Sequence, residues 1–234
     1  MDIMGMALLD YQNGKYTEDI ITYSSLDEQD IIPLPHFFRR FHEMPAIEQK
    51  ALKLCRGTIL DIGCGAGSHS LYLQEENFEV TALDNSKGAI ETCRQRGIRN
   101  VHLENFYDFK GERFDTVLLL MNGLGLAEKL DRLDRFLSHI KTLINQNGQV
   151  IVDSSDIIYM FDEDEDGGRW LPDTKGYYGE VEFVMEYKGE KSDPFWWLYC
   201  DFNTLERAAT ANALNCELII QGEHYDYLAR LTPK

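Results

Sequence analysis

Three glycines spaced two residues apart, Gly63, Gly65 and Gly67, follow a short apolar run that begins at Ile59. The apolar run predicts a strand, and the pattern after Ser68 predicts a helix that begins directly at the glycine turn. Glycines let a ligand approach bare backbone where side chains would clash. The free N–H groups and the positive dipole end of the helix favour a negatively polarised group. These residues therefore predict a socket for the polar part of a nucleotide-like cofactor.

The spacing of the glycines narrows the choice of cofactor. The dinucleotide fingerprint has glycines at relative positions one, three and six, and the sixth position here is Ser68. The phosphate-binding loop is excluded because no Gly-Lys-Ser/Thr follows the turn. A NAD-type cofactor is disfavoured by the spacing and stays open as an alternative.

A carboxylate at the end of the next predicted strand strengthens the nucleotide-like interpretation. Asp84 follows the alternating stretch 78–83 and lies 21 residues after Gly63. An acidic residue about 20 positions beyond the glycine turn, at a strand end, can accept hydrogen bonds from ribose hydroxyls. NAD-binding proteins share this feature, so it does not discriminate between the cofactors.

Two further strand ends complete an ordered set. A third predicted strand, 101–103, runs into Asn105 and Phe106, and a fourth, 113–121, carries Phe114 and Asp115 and reaches Met121 and the loop 122–125. Taken in order with Asp61, the three glycines and Asp84, these residues resemble the motifs of the class I S-adenosylmethionine-dependent methyltransferases. The resemblance extends from residue 59 to residue 153.

The resemblance implies S-adenosylmethionine as the cofactor and assigns roles to individual residues. The glycine turn would hold the amino-acid end of the cofactor, Asn105 would meet the adenine amino group, and the neighbour of Asn105 would pack on the adenine ring. The family more often has Asp where this chain has Asn105. The candidate cofactor-binding residues are Asp61, Gly63, Cys64, Gly65, Gly67, Asp84, Asn85, Asn105, Phe106, Met121 and Asn122.

Alternation of strand and helix patterns predicts an α/β fold. We expect a Rossmann-like, seven-stranded, mostly parallel sheet with a C-terminal antiparallel hairpin, N-terminal helices and an inserted β-hairpin cap. The chain would form a single methyltransferase domain with four segments. These are an N-terminal helical cap (1–57), a cofactor-binding core (58–153), an insertion for substrate binding (154–202) and a C-terminal helix and hairpin (203–234).

Several helices and strands can be placed from periodicity and capping signals. Helical periodicity begins near His36, and an apolar 3.6-residue period predicts a helix over 126–144. Asn203 and Glu206 resemble a capping box that opens a helix through residue 214. The stretches 180–188 and 195–202 predict the inserted hairpin, and 216–221 with 225–231 predicts the terminal hairpin.

Composition restricts the partners and the location. The net charge of −17, from 23 basic and 40 acidic residues, disfavours nucleic acid because phosphate contacts need Lys and Arg clusters. Five cysteines without a Cys-x-x-Cys pair predict a reduced protein with no metal site. No signal peptide and no apolar run of about 18 residues is found. We expect a cytoplasmic protein without membrane contact, and the oligomeric state stays open.

No catalytic triad is evident, so the catalytic residues are not assigned. Three histidines are candidate bases or orienting groups: His69 directly after the glycine turn, and His36 and His42 in the N-terminal segment. A structural role is the favoured interpretation for His69, and a solvent-facing position is the favoured interpretation for His36 and His42. Arg39 and Arg40 could hold a carboxylate or an anionic substrate, or could pair with a nearby Glu.

Two features of the insertion are open to more than one interpretation. The five-residue acidic run 162–166 could gather cations, although a solvated loop explains it more simply, and it lacks the spacing of a calcium loop. The aromatic residues of the insertion could form a cage for a flat or cationic substrate, or the insertion's own small core. They are Trp170, Tyr177, Tyr178, Trp196, Trp197 and Tyr199.

The function that these observations favour is methyl transfer to a small-molecule acceptor by in-line displacement. A protein or RNA acceptor is an alternative within the same enzyme class. A NAD-type oxidoreductase on a similar core is an alternative from another class. A binding protein that keeps the socket but has lost activity is the remaining alternative.

Overall fold

The computed structural model describes residues 1–161, 176–222 and 225–234. The acidic run 162–166 and Trp170 lie outside the described residues. The six helices in these ranges are α1 (Ile3–Gln12), α2 (Ala46–Leu54), α3 (Ser68–Glu75), α4 (Lys87–Gln95), α5 (Leu133–Leu143) and α6 (Phe202–Ala211). The strands of the same ranges are β1 (Ile20–Ser24), β2 (Gln29–Ile32), β3 (Thr58–Ile62), β4 (Glu79–Asp84), β5 (Asn100–Leu103), β6 (Phe114–Leu119), β7 (Ile144–Ser155), β8 (Glu180–Tyr187), β9 (Glu190–Lys191), β10 (Phe195–Leu198), β11 (Leu214–Gln221) and β12 (Asp226–Pro233).

Seven strands form the main sheet in the order β11-β12-β7-β6-β3-β4-β5. The pairs β3–β4, β3–β6, β4–β5 and β6–β7 are parallel, whereas β12 is antiparallel to both β7 and β11. The predicted Rossmann-like sheet with its C-terminal antiparallel hairpin is therefore confirmed. The carboxyl ends of β3, β4, β5, β6 and β7 meet at one edge, where ligands bind in open α/β sheets.

Both faces of the main sheet are covered by helices. On one face Ile59 and Leu118 pack in a cluster with Ala51 of α2, and on the other Leu60 and Val117 pack with Phe136 of α5. Adjacent residues of one strand thus face opposite cores, which explains the uninterrupted apolar runs in the central strands.

A second sheet is built from the insertion and the N-terminal segment. Its order is β10-β8-β1-β2, and β9 pairs with β8. The antiparallel pairing of β8 with β10 agrees with the predicted hairpin. The strands β1 and β2 were not predicted. Their presence shows that the segment 1–57, expected as a helical cap, also contains strands. β2 is a short edge strand with mostly exposed residues, and β1 pairs with β8 more than 150 residues along the chain, a contact that local periodicity does not reveal.

Two predicted helix starts in the second half of the chain are wrong. α5 begins at Leu133 rather than at residue 126, because Glu128 has a φ of 66° and two short 3₁₀ turns, Gly123–Ala127 and Leu130–Arg132, occupy the preceding stretch. The cap of α6 is Asp201, whose side chain accepts the Thr204 N–H, so the Asn203–Glu206 capping box does not form.

The segment around His36 also differs from the predicted helix. It contains two 3₁₀ turns, Leu34–Phe38 and Phe41–Glu43, because Pro33 and Pro35 interrupt regular helix formation. None of the described helices has the length and apolar character that crossing a membrane would require.

Candidate active site

The glycine turn after β3 has an open side and a packed side. Gly63, Gly65 and Gly67 have φ values of 71°, 53° and 77°, a region that non-glycine residues rarely occupy. A Cβ atom added at Gly65 would meet nothing within 4 Å, whereas one at Gly67 would overlap Ile98. The turn thus rests against the segment after α4 and leaves the space beside Gly65 open to a ligand.

Asp84 links the glycine turn to the start of α4. Its carboxylate accepts the Gly65 N–H at 2.9 Å and the Ser86 N–H at 2.8 Å. Burial raises the pKa of Asp84, and the two backbone N–H groups oppose that rise. Asn85 is exposed beside it. The structure thus brings the predicted ribose-binding carboxylate within one hydrogen bond of the predicted cofactor turn.

The N-terminal helix lies against the same strand end. The Asp2 carboxylate accepts hydrogen bonds from the Ser86 hydroxyl at 2.9 Å and from the Gly88 N–H at 3.2 Å. A Cβ atom at Gly88 would overlap the Gly5 backbone, so α1 and α4 are in direct backbone contact. Sequence reasoning missed this contact; its one local signal is the Asp2 cap before the apolar helix α1.

At the end of β5, the apolar side chain that is exposed to solvent differs from the one that was expected. Asn105 is exposed, and its side-chain oxygen accepts the Tyr107 N–H at 2.9 Å. Phe106 is only 8% exposed, and its ring packs on Phe136 and His139 with centroids 5.3 and 4.7 Å away. Leu103, which is 47% exposed, is the apolar side chain that the end of β5 presents to solvent.

The loop after β6 has an unusual backbone. Met121 and Asn122 are consecutive non-glycine residues with φ values of 64° and 56°. Each such conformation costs on the order of 1–3 kcal/mol and persists only where its surroundings hold it. The Ser155 hydroxyl donates to the side-chain oxygen of Asn122 at 2.9 Å. We call residues 121–125 the reactive-centre loop, because the resemblance to the methyltransferase family implies that the loop after this strand would lie beneath the reacting atoms.

A buried carboxylate lies under the reactive-centre loop. Asp153 of β7 is 7% exposed and accepts the Met121 N–H at 3.1 Å and the Gly123 N–H at 2.9 Å. Burial raises the pKa of Asp153 to about 6, while the backbone N–H groups of the loop oppose the rise. In the sequence, Asp153 marks only the end of the region of resemblance, because the Met121 and Gly123 N–H groups that it accepts lie 32 and 30 residues away along the chain.

A buried ionic cluster connects the N-terminal segment to α3. Glu48 accepts a hydrogen bond from Arg39 Nη2 at 2.9 Å and lies 2.8 Å from His69 Nε2. Burial alone would lower the pKa of His69, but the hydrogen bond to Glu48 together with the negative charges of Asp61 and Glu48 outweighs burial, and the pKa is raised. Arg39 is therefore paired with a Glu, and His69 is committed to a structural contact.

Asp61 and the remaining candidates occupy different surroundings. Asp61 is buried, accepts the Ser70 hydroxyl at 2.6 Å, and has a pKa raised by burial. His36 is half-buried, and burial lowers its pKa. His42 and Arg40 are exposed.

A cavity of about 430 Å³ borders the N-terminal segment. It is lined by Tyr11, Pro33, Pro35, His36, Phe38, Arg39 and Glu43.

The described aromatic residues of the insertion have partners within the protein. A Cβ atom at Gly125 would overlap the Trp197 ring, and the Lys129 ammonium lies 3.6 Å from the centroid of Trp196. The Tyr177 hydroxyl donates to Asp201 and the Tyr178 hydroxyl donates to Asp156, each at 2.7 Å. These contacts attach the second sheet to the reactive-centre loop and to the core.

The cysteine of the glycine turn, Cys64, is buried and free, and its Sγ lies 3.8 Å from that of Cys93. Its contribution to the turn is therefore backbone rather than an ionised thiol. Among residues 1–161, 176–222 and 225–234, no group of three or more His, Cys, Asp or Glu side chains could hold a metal ion.

Comparison with known proteins agrees with this geometry. Residues 59–148 match the family model described as "Methyltransferase domain". A crystal structure of a SAM-dependent methyltransferase from Bacteroides fragilis in complex with S-adenosyl-L-homocysteine is 42% identical. The match covers 99% of this chain and 94% of that one, with a TM-score of 0.92.

Curated relatives match over shorter segments. A probable (S)-tetrahydroprotoberberine N-methyltransferase 2 of Papaver bracteatum is 29% identical over 42% of this chain, and the ubiquinone biosynthesis O-methyltransferase of Rickettsia conorii is 25% identical over 49%. The matches span 29% and 41% of those two proteins. With the sheet order, the glycine turn and the full-length structural relative in agreement, this chain belongs to the class I S-adenosylmethionine-dependent methyltransferases.

Proposed function

We propose that this chain is an enzyme that transfers a methyl group from S-adenosylmethionine to a small-molecule acceptor by in-line displacement. The observation that carries the proposal is the glycine turn, where the space beside Gly65 is open and the Gly65 N–H is hydrogen-bonded to Asp84. The full-length relative that is 42% identical contains S-adenosyl-L-homocysteine, which supports the same cofactor here.

The residues present fit that cofactor. Asp84 would accept hydrogen bonds from the ribose hydroxyls, and the turn Gly63–Gly67 would hold the amino-acid end with Cys64 contributing backbone alone. Asn105 would meet the adenine amino group, with Phe106 or the more exposed Leu103 against the ring. Asp61, Asn85, Met121 and Asn122 complete the proposed set.

When bound, S-adenosylmethionine supplies an electrophilic methyl carbon on a sulfonium. The task of this chain's residues is then to hold the acceptor in line with that carbon, and orientation can contribute several kcal/mol to such a reaction. A base is needed only for an acceptor that carries a proton at neutral pH. Of the three candidate histidines, His36 combines partial exposure with a lowered pKa, so it is neutral and can accept a proton.

A small acceptor fits the surroundings better than a polyanion. The net charge of −17 opposes RNA, and the two curated relatives are named for a tetrahydroprotoberberine and for ubiquinone biosynthesis rather than for a polymer. We assign acceptor binding to the N-terminal segment 1–57 and the insertion 154–202. An open surface depression lies beside His36 and Arg39 within the first of these two segments.

A cytoplasmic location belongs to this proposal. All five cysteines are free, including Cys64 and Cys93, whose sulfurs are 3.8 Å apart. Proteins of reducing compartments keep their cysteines as free thiols.

Calorimetric titration tests the cofactor first. We expect S-adenosylmethionine and S-adenosylhomocysteine to bind and NAD to give no heat. Binding of NAD in their place would favour an oxidoreductase. Transfer of a labelled methyl group to a panel of small amines, phenols and carboxylic acids, with RNA and protein as parallel acceptors, tests the rest. Transfer to RNA or protein alone would contradict the small-molecule assignment, and binding without any transfer would favour a non-catalytic protein.

A further inference from the structure

We propose that the Asp153 carboxylate is the positioning group that holds the reactive-centre loop, residues 121–125, in the conformation that methyl transfer requires. The inference rests on the proposed function for its consequence but on geometry for the anchoring itself. Asp153 is a positioning residue because it contacts the loop backbone rather than a substrate.

The backbone of the reactive-centre loop is strained. Met121 and Asn122 both lie in the left-handed region, which is costly for non-glycine residues. The turn itself contains no compensating glycine until Gly123. Some group outside the loop must therefore stabilise this conformation.

Asp153 is the group that holds the loop from below. The two carboxylate oxygens of Asp153 accept one N–H each, from Met121 on one side of Asn122 and from Gly123 on the other. Hydrogen bonds to an ionised acceptor are roughly twice as strong as neutral ones. The Asp153 carboxylate thus binds the backbone on both sides of Asn122, and the Ser155 hydroxyl orients the Asn122 side chain.

The opposite side of the loop is covered by the second sheet. Trp197 of the second sheet packs directly on Gly125, so the loop lies between a buried carboxylate and an indole ring. The acceptor-binding insertion therefore rests on the same backbone that Asp153 holds. Movement of the loop would change both the contact with the methyl donor and the position of the insertion.

The ionisation of Asp153 decides how many hydrogen bonds it can accept. The ionised form accepts both N–H groups, whereas the protonated form has one weaker acceptor. The charged groups that face it are Glu48 of α2, which raises its pKa, and His69 of α3, which lowers it, and burial is the largest influence. The two loop N–H bonds lower the pKa of Asp153 relative to the same buried carboxyl without them, so protonation of this carboxyl favours loss of the two bonds. Because the pKa with the bonds formed is about 6, the loop is held above pH 6 and loosens as the pH falls below it.

Trp197 is a reporter that needs neither cofactor nor acceptor. The chain has three tryptophans, so the double variant Trp170→Phe/Trp196→Phe leaves Trp197 alone. We expect its emission to shift to the red between pH 7 and pH 5 with a midpoint near 6. The same background with Asp153→Asn should show the loosened emission throughout and no transition. A transition that persists in Asp153→Asn would overturn the proposal.

Cofactor affinity gives an independent readout. At pH 8, Asp153→Asn should bind S-adenosylhomocysteine about 10-fold more weakly, which corresponds to the loss of one charge-assisted hydrogen bond. The matched control is Asp115→Asn, which alters a carboxylate that accepts the Thr58 N–H at the amino end of the sheet. The control should keep wild-type affinity. Equal affinities for wild type and Asp153→Asn would contradict the proposal.

If the Asp153→Asn protein is too unstable to study, the anchoring can be tested on the wild-type protein. Amide hydrogen exchange should show the Met121 and Gly123 N–H groups protected at pH 8, with protection factors that fall when the pH is lowered to 5. Unprotected amides at pH 8 would refute the anchoring. A wild type that fails to bind S-adenosylhomocysteine would instead refute the proposed function, and the Trp197 and exchange experiments would still decide the anchoring.

Discussion

Asp84 is the single side chain whose loss we expect to weaken cofactor binding most clearly. Asp84→Ala would remove the proposed ribose acceptor and also free the Gly65 and Ser86 N–H groups. Charge-assisted hydrogen bonds contribute roughly 1.5–3 kcal/mol each, so the dissociation constant for S-adenosylhomocysteine should rise about 10- to 100-fold. Calorimetry measures this, with exposed Glu79→Ala at the other end of β4 as the control. An unchanged constant would reject the assignment of Asp84.

Glu48 should matter for stability rather than for cofactor contact. Glu48→Gln leaves Arg39 and His69 half-buried or buried without their anionic partner, and breaking a buried pair in this way costs about 3–5 kcal/mol in the free energy of unfolding. Denaturant unfolding at pH 6 measures the loss. Glu76→Gln, at the exposed C-cap of α3, is the matched control and should change the same quantity by less than about 0.5 kcal/mol.

The pH dependence of that loss has a defined sign. The pKa of Glu48 is lowered by His69 and Arg39 against burial, so its contribution is complete above its ordinary value of 4.5 and is lost in more acidic solution. The pKa of His69 is raised, so its contribution is complete below 6.5 and is lost as the pH rises through the folded value. The difference between wild type and Glu48→Gln should therefore be largest between pH 4.5 and 6.5. A difference that grows steadily toward pH 9 would contradict the cluster.

Whether the role of a residue can be predicted from the sequence depends on whether its partners lie nearby along the chain. Gly65 and Asp84 were predicted because the turn and the strand end are fixed by spacing along the chain. The partners of Glu48 and Asp153 were not, because His69 lies 21 residues from Glu48 and Met121 lies 32 residues from Asp153. Pairings of that kind arise only when the sheet brings distant strand ends together.

At the scale of elements, the contact between α1 and α4 holds the N-terminal helix beside Asp84. Gly88→Ala would place a Cβ against the Gly5 backbone, and overpacking of this kind typically costs about 1–3 kcal/mol. We expect α1 to separate from α4 and the N-terminal helix to be cleaved faster by a non-specific protease. Exposed Lys87→Ala on the same helical turn is the control and should be cleaved at the wild-type rate. Equal cleavage of Gly88→Ala would show that α1 is held by other contacts.

Sequence patterns predicted the helices and strands over which a single hydrophobic period is uninterrupted. The main-sheet strands followed from apolar runs and the inserted hairpin from alternation. The start of α5 was misplaced because Leu126 and Leu130 continue the 3.6-residue period although Glu128 breaks the helix. The strand β2 was missed because its exposed residues carry no apolar pattern and its pairing comes from β1, itself joined to β8.

At the scale of the whole molecule, the cofactor should couple to folding because its proposed site joins β3, β4, β5 and the reactive-centre loop. A ligand that binds the folded state alone adds about 2.7 kcal/mol to the free energy of unfolding at 100 times its dissociation constant. For a chain of this size, 1 kcal/mol raises Tm by about 2–4 °C, so S-adenosylhomocysteine should raise Tm by roughly 5–10 °C. Calorimetric melting at a fixed protein concentration measures the shift. Asp84→Ala at the same ligand concentration should show a smaller shift than wild type, and NAD should produce none. A shift with NAD equal to that with S-adenosylhomocysteine would mean that the socket does not distinguish the two cofactors, which contradicts the glycine spacing from which the assignment began.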